Sequence, residues 1–509
     1  MSKLPNVKLS SGALNKHKAD LFVLPVYEGE VGSKRKSLRP LVTRVRRALR
    51  GVLEEAAKSE RFSGKAGQML ALHTHGRLGA PRLTVVGLGK SGSTETHSTL
   101  RNAVGAAVRG ARRIGATRVL VLLPEDARDA EAVRAATEGA ILGAYRFDRY
   151  LTQEQKGAGK PVRTVALLVE DARDAAAKQA LGLGQAIAEA ANLARDLVNE
   201  PAGVIYPATL ADFARDLAKA HGLKSTVRGL RELEKLGFGM MVGVGQGSDH
   251  EPKFITLEYR PGGRSSGKGI AFVGKGVTFD AGGYDIKPAA SMLDMKMDMA
   301  GAAAAICAMR AIAALEPPFP VTAYVGAVEN LVSGRAYKPG DILKSRKGLT
   351  VEVNNTDAEG RLVLGDVLSY AVEQGHEAIV DLATLTGACM VALGPYTAGV
   401  FSNDEATAKA VLDAGRKAGE DLWQLPLNED LGEQLDSDIA DTKNTGERWG
   451  GAITAALFLS KFTEHTPWVH LDIAGPAMLA RERGPFTKGA TGVGVRTLAQ
   501  WTLDRMRAA

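Results

Sequence analysis

GIAFVG (269–274) runs into GKGVTFDAGGYDIKP (274–288), and a related stretch, NNTDAEGRL (354–362), lies further along. The first six residues are apolar apart from glycine, as in a strand covered on both faces of an α/β sheet. Charged side chains then appear beside glycines where the apolar pattern breaks. Lys275 is read as following the strand, Asp280 precedes Gly282-Gly283, Lys287 precedes Pro288, and Asp298 opens a helix. In open α/β sheets ligands bind beyond the carboxyl ends of strands. Lys275, Thr384 and Ala474 all fall at such ends.

Outward from this segment the same grammar repeats. FITLEY (254–259), VTAYVGAV (321–328), AIVDLAT (378–384) and WVHLDIAG (468–475) read as strands, and AGAAAAICAMRAIAAL (300–315) and RLVLGDVLSYAVEQ (361–374) as helices. In the first third DLFVLPV (20–26), RLTVVGLG (82–89), RVLVLLP (118–124) and RTVALLV (163–169) alternate with helical segments such as LRNAVGAAVRGARRIG (100–115). Alternation of buried strands with helices predicts two α/β domains. A long Ala-rich helix, roughly 174–198, ends before Pro201, and the junction is placed at its start, giving domains 1–173 and 174–509. The larger, C-terminal domain is expected to be a mixed, mostly parallel sheet with helices on both faces. GLGKSGS (87–93) is not a phosphate loop, because Thr84 stands where a Walker loop needs glycine. GVGQGS (243–248) reads as a tight turn.

The 509 residues exceed one ordinary core. Apolar residues are 45% and charged residues 24%, the composition of a globular protein. Two cysteines, Cys307 and Cys389, build no disulfide framework, which points to a reducing, cytoplasmic setting. The N-terminus lacks an apolar signal segment, and no membrane span is expected. The formal charge is +8, with much of the excess in KRKSLRPLVTRVRRALRG (34–51). This stretch is either a solvated basic helix face or a surface for DNA. Aromatics are only 5%, and no nucleic-acid motif accompanies it.

The carboxylates carry the chemistry. If 357–361 were extended, Asp357, Glu359 and Arg361 would project to one side. Gly360 would turn the chain into a helix near Arg361, whose start favours a small anion. A surface turn with an incidental Glu–Arg pair is the alternative. Alone, Asp298 reads as a helix N-cap and Lys275 and Lys287 as exposed lysines. Together these groups form an oxygen-rich set suited to hard divalent cations, with a neutral lysine amine as a further ligand.

These motifs closely resemble the leucyl aminopeptidase (cytosol aminopeptidase) family. The resemblance covers about 190–500 and rests on VGQGS (244–248), VGKGVTFD (273–280), IKP (286–288), MKMDMAGAAA (295–304), SGRAYKPGDI (333–342), NTDAEGRL (355–362), ATLTGA (383–388) and GATGVGVRTL (489–498). It implies a two-metal aminopeptidase. Lys275, Asp280, Asp298 and Glu359 would hold one cation; Asp280, Asp357 and Glu359 would hold the other. The implied metals are zinc, manganese or magnesium. Lys287 and Arg361 match the catalytic pair, Lys287 stabilising an oxyanion and Arg361 holding a bicarbonate proton shuttle. Met295, Thr384, Gly387 and Ala474 would line an apolar pocket for leucine-like residues. Peptides are the implied substrates and a homohexamer with sites facing an interior cavity the implied assembly. A sequence-directed DNA-binding accessory role of the basic N-terminal domain is the alternative reading, since some members bind DNA.

The chain departs from the family at Ala281, at Tyr284-Asp285 and at Ala477, none of them a ligand position. Ala477 stands where some members carry methionine, which would widen the pocket. Asp285 either raises the pKa of Lys287 or points to solvent, and solvent is the expectation. Cys389 is read as a packed thiol without a histidine partner.

Overall fold

The computed structural model describes residues 4–31, 39–126, 128–152, 160–263 and 267–508. The chain divides into two compact units, Met1–Asn192 with Ala480–Lys488, and Leu193–Leu479 with Gly489–Ala509. The junction expected at 173/174 marks the start of the helix Ala175–Asn199, whereas the division falls inside that helix. Its hydrogen bonds explain this. Asn192 donates to the Ile141 carbonyl in the first unit, while Arg195 Nε donates to the Ala490 carbonyl and the Asn199 side-chain oxygen accepts from Ala490 N–H in the second.

The first unit holds a six-stranded sheet in the order Asn6–Ser10, Thr164–Leu168, Arg118–Leu122, Leu21–Val26, Arg82–Gly87, Met69–His73, parallel except for the last pair. The four central strands match the apolar runs. The two edge strands were not anticipated, because each is short and only partly buried. The helix Pro40–Leu49 packs Leu41, Val42, Val45 and Leu49 into the core below the sheet. Its other face exposes Arg44, Arg47 and Arg50, while Arg46 pairs with Glu54 at 2.6 Å. Residues 32–38 of the basic stretch lie outside the described residues.

The second unit is built on an eight-stranded sheet. Its order is Leu422–Gln424, Ala398–Ser402, Trp468–Asp472, Ala378–Ala383, Ile270–Asp280, Val321–Asn330, Lys253–Tyr259, Lys224–Arg228. The four strands from Trp468–Asp472 to Val321–Asn330 run parallel, and antiparallel pairs occur only toward the edges. The parallel strands are buried along nearly their whole length, so their side chains need cover on both faces. The helix Ala300–Leu315 matches the sequence reading. Met295–Leu315 is apolar and long enough to cross a membrane, but 78% of it is buried inside the protein, as a core helix should be. GVGQGS is not a simple turn: Gly243 to Gly245 complete the helix Gly239–Gly245, because Val244 and the residues before it are needed in the core.

Candidate metal centre

Two corrections to the sequence reading create the site. The strand expected to end at residue 274 continues to Asp280, because 275–280 stay paired with Gly326 to Asn330 on the neighbouring strand. Lys275 therefore projects from within a strand, and Asp280 ends it. Residues 357–361 are not extended: the helix Glu359–Glu373 already begins at Glu359, preceded by a turn at Asp357. A helix start, not strand alternation, places Glu359 beside the upstream carboxylates. Gly360 is needed here because a Cβ would sit 2.5 Å from Lys275 Cε.

Asp298 is likewise not a helix N-cap. It follows the 3-10 turn Met295–Met297, and Met299 occupies the cap of the next helix. Its Oδ1 instead accepts from Lys275 Nζ at 2.8 Å and from the Thr384 hydroxyl at 2.7 Å. Lys275 Nζ also lies 2.9 Å from Glu359 Oε1 and donates to the Thr384 carbonyl at 2.9 Å. Lys287 Nζ bridges Asp280 Oδ2 at 2.9 Å and Asp357 Oδ1 at 2.5 Å. Neither lysine is the exposed side chain that sequence alone allows.

The electrostatics follow from crowding. Burial and the charge of Glu359 push the Asp280 carboxyl up to about 7. Burial also holds Asp298 and Asp357 above the ordinary carboxylate range. Burial acts the same way on Glu359, but Lys275 and Lys287 outweigh it and hold that carboxyl low. Burial opposes charge on both lysines, yet the surrounding carboxylates hold both amines above their usual range.

The donor set fits divalent cations. Asp280, Asp357 and Glu359 each place an oxygen so that all three lie within 4.8 Å of one another. Asp298 Oδ2 is buried without a hydrogen-bond partner among the described residues, a costly state unless something else binds there. Four carboxylates face two ammonium groups, so added positive charge is favoured, and oxygen ligands suit hard cations.

The Cytosol aminopeptidase family, catalytic domain, matches residues 192–499, and the family's N-terminal domain matches 23–154. The chain belongs to the cytosol aminopeptidase family. It is 44% identical over 491 residues to a probable cytosol aminopeptidase of Solibacter usitatus, covering 96% of this chain and 98% of the relative. A probable cytosol aminopeptidase of Aquifex aeolicus is 42% identical, with 96% of each chain covered. Among solved structures, a mutant tomato leucine aminopeptidase aligns with a TM-score of 0.89 at 34% identity, covering 99% and 98% of the two chains. The bottromycin maturation enzyme BotP, in complex with Mn, aligns with a TM-score of 0.82 at 35% identity, covering 96% of this chain and 100% of that one. The chain is thus a metallo-aminopeptidase of the leucyl aminopeptidase type, a hydrolase of peptide bonds.

Asp472 ties together the chain beyond the strand ends at Thr384 and Ala474. Its Oδ1 accepts from Leu385 N–H and Ala474 N–H, both at 3.2 Å, and its Oδ2 accepts from the Thr386 hydroxyl at 2.7 Å. Thr384 and Ala474 are buried, Gly387 is exposed with open space where a Cβ would stand, and Met295 is half-buried one turn before Asp298. Ala477 is buried as well. Cys389 is a packed thiol, pushed up to about 12 by burial.

Arg361 is buried, and burial lowers its guanidinium to about 10, still charged at neutral pH. One nitrogen donates to the Asn444 carbonyl at 2.9 Å, while Nε is buried without a partner. Asp285 is exposed, as expected, but it also holds on to the second ligand loop. Its Oδ2 accepts from Thr356 N–H at 2.7 Å and the Thr356 hydroxyl at 3.1 Å, and its own N–H donates to Thr356 Oγ1 at 2.8 Å. Asn330 donates to both Asp280 Oδ1 (2.8 Å) and the Thr356 carbonyl (2.9 Å). Asp285 and Asn330 therefore tie the two ligand loops together. Only their polarity marks them in the sequence, with no periodicity or spacing to single them out.

Proposed function

We propose that this site removes the N-terminal residue of peptides through two divalent cations, with leucine and other apolar residues preferred. The observation that carries the reading is the convergence of Asp280, Asp357 and Glu359 beside the unpartnered Asp298 oxygen. Lys275, Asp280, Asp298 and Glu359 would hold one cation, and Asp280, Glu359 and the side chain and backbone carbonyl of Asp357 the other. Manganese and zinc suit the set, with magnesium a third occupant. The Mn complex of the similar BotP supports manganese. Bound cations supply hydroxide at neutral pH and polarise the scissile carbonyl.

The protein's own groups do the rest. Lys287, held between Asp280 and Asp357, presents a fixed positive charge to the oxyanion that forms on the scissile carbonyl. Arg361, whose Nε–H has no partner among the described residues, would hold a bicarbonate, which would supply a proton relay. Met295, Thr384, Gly387 and Ala474 line the side-chain pocket, and the small Ala477 leaves it broad enough for residues other than leucine. The protein works in the cytoplasm as a homohexamer. Light scattering coupled to size exclusion tests the assembly; a monomer would contradict it.

Hydrolysis of a panel of amino-acid amides with zinc, manganese or magnesium tests the activity. Free-amine leucine amide should be cleaved and its N-acetyl form left intact. Cleavage of both, or full activity after exhaustive chelation, would overturn the reading.

The exposed Arg44, Arg47 and Arg50 on one helix face favour a second, accessory reading: sequence-directed DNA binding by the first unit. Reversing these charges should release the protein from duplex DNA at low salt and leave peptide hydrolysis unchanged. Persistent retention would remove this surface from consideration.

A further inference from the structure

The helix Glu359–Glu373 begins at the metal centre, and its last turn reaches a second, unrelated site. A cavity of about 660 Å³ opens there over the outer strands of the eight-stranded sheet. Strand register builds its floor: Thr226, Thr256 and Tyr324 stand in one cross-strand row, and Lys224, Glu258 and Thr322 in the next. Side-chain alternation sends both rows to the same face. Tyr370, from the helix's last turn, and His376 line the wall. The Arg228 guanidinium lies over the Tyr370 ring at 5.6 Å and over Phe254 at 5.9 Å.

Three buried polar atoms of lining residues have no hydrogen-bond partner among the described residues: Arg228 Nη1, Thr256 Oγ1 and His376 Nδ1. Thr256 is only 6% exposed. The Tyr324 hydroxyl lies 2.8 Å from His376 Nε2. With tyrosine as donor the ring proton sits on Nδ1, so Arg228 Nη1 and His376 Nδ1 carry hydrogens and the Thr256 hydroxyl can donate one as well. Charge points the same way. Glu258, the one carboxylate on the lining among the described residues, is already bridged by Lys224 at 2.8 Å and Arg260 at 2.7 Å. Arg228 has no carboxylate partner among the described residues.

Buried donors left unpaired around a cationic cavity mark a place for acceptor oxygens. We propose that this cavity binds a small molecule through a carboxylate or phosphate group, received by Arg228, Thr256 and His376. The cavity is larger than a bare ion needs, and its tyrosines supply a flat wall for the rest of the ligand.

Isothermal titration of the metal-loaded enzyme with inorganic phosphate, and separately with succinate, tests the site and distinguishes the two chemistries. At least one probe should bind with a Kd near or below about 1 mM. R228Q and T256V should each weaken that binding about tenfold, with metal content and leucine-amide hydrolysis unchanged. T256V keeps the strand's shape and guards against a folding defect in R228Q. Because both variants leave the metal centre intact, they also separate this site from anions bound there. The proposal fails if neither probe binds the wild type, or if either variant, folded, keeps wild-type affinity.

Discussion

One helix, Glu359–Glu373, joins two polar sites of opposite character. At its first residue four carboxylates crowd two lysines, and an unpaired carboxylate oxygen of Asp298 is left over. Near its end three cationic side chains and one glutamate surround a cavity, and the leftover atoms are donors. In both places the unpaired buried atom, rather than the number of charges, tells what is missing. At one end that is a cation and at the other an anion. The metal centre sits where parallel strands end and loops converge, while the cavity sits on the face of strands that run antiparallel near the sheet edge.

The largest expected effect tests the acidic end. Asp357→Ala removes one of three converging oxygens and leaves Lys287 with one fewer carboxylate. Leucine-amide hydrolysis should fall by more than about a hundredfold, with bound metal falling alongside it. Unchanged hydrolysis would break the comparison at its stronger half. Lys287→Met removes the positive charge proposed to face the reacting carbonyl. It should lower kcat by about 10²-fold or more with KM little altered. A change confined to KM would assign Lys287 to substrate binding instead.

Asp285→Ala is a milder probe of the same end. Asp285 touches no proposed ligand, but its carboxylate accepts two hydrogen bonds from Thr356 that hold the turn carrying Asp357. Groups that orient metal ligands typically contribute 10–100-fold in metal affinity. The variant should therefore need about tenfold more manganese for half-maximal activity, while the rate at saturating manganese recovers. A rate that stays low at saturation would mean that Asp285 does more than position the turn.

The sequence made the central strands legible, because unbroken apolar runs such as GIAFVG and VTAYVGAV have few other readings, but it missed the buried strand Ala398–Ser402. It failed at Asn6–Ser10 and Met69–His73, where edge exposure dilutes the signal. The acidic site was legible as a set of residues. Its local geometry was not: a strand extended to Asp280 and a helix begun at Glu359 are set by tertiary pairing, which overrides the local pattern. Asp472 and Asn330 went unassigned, and the contact of Asp285 with Thr356 went unread, for a related reason, since these are hydrogen bonds to residues distant in the chain. The second cavity had no sequence signature, because Arg228, Thr256 and His376 meet only through strand register and the end of a helix.

The smallest effect comes from the cationic end and is read through stability. Burial lowers His376 from its ordinary 6.5 to about 4, so the folded protein holds the ring neutral where the unfolded chain protonates it. The unfolded state then binds more protons between these values, and stability falls with falling pH across that window. Above about pH 6.5 the ring contributes nothing to the pH dependence. Urea melts of wild type and H376Q should therefore converge or cross as pH drops toward 4, with the wild type losing at most ~3 kcal/mol relative to the variant. An oxyanion bound beside the ring favours its charged form, so saturating phosphate or succinate should shrink this acid-side loss. If the loss is the same with and without the anion, His376 does not face the ligand, and Arg228 and Thr256 alone must account for the binding.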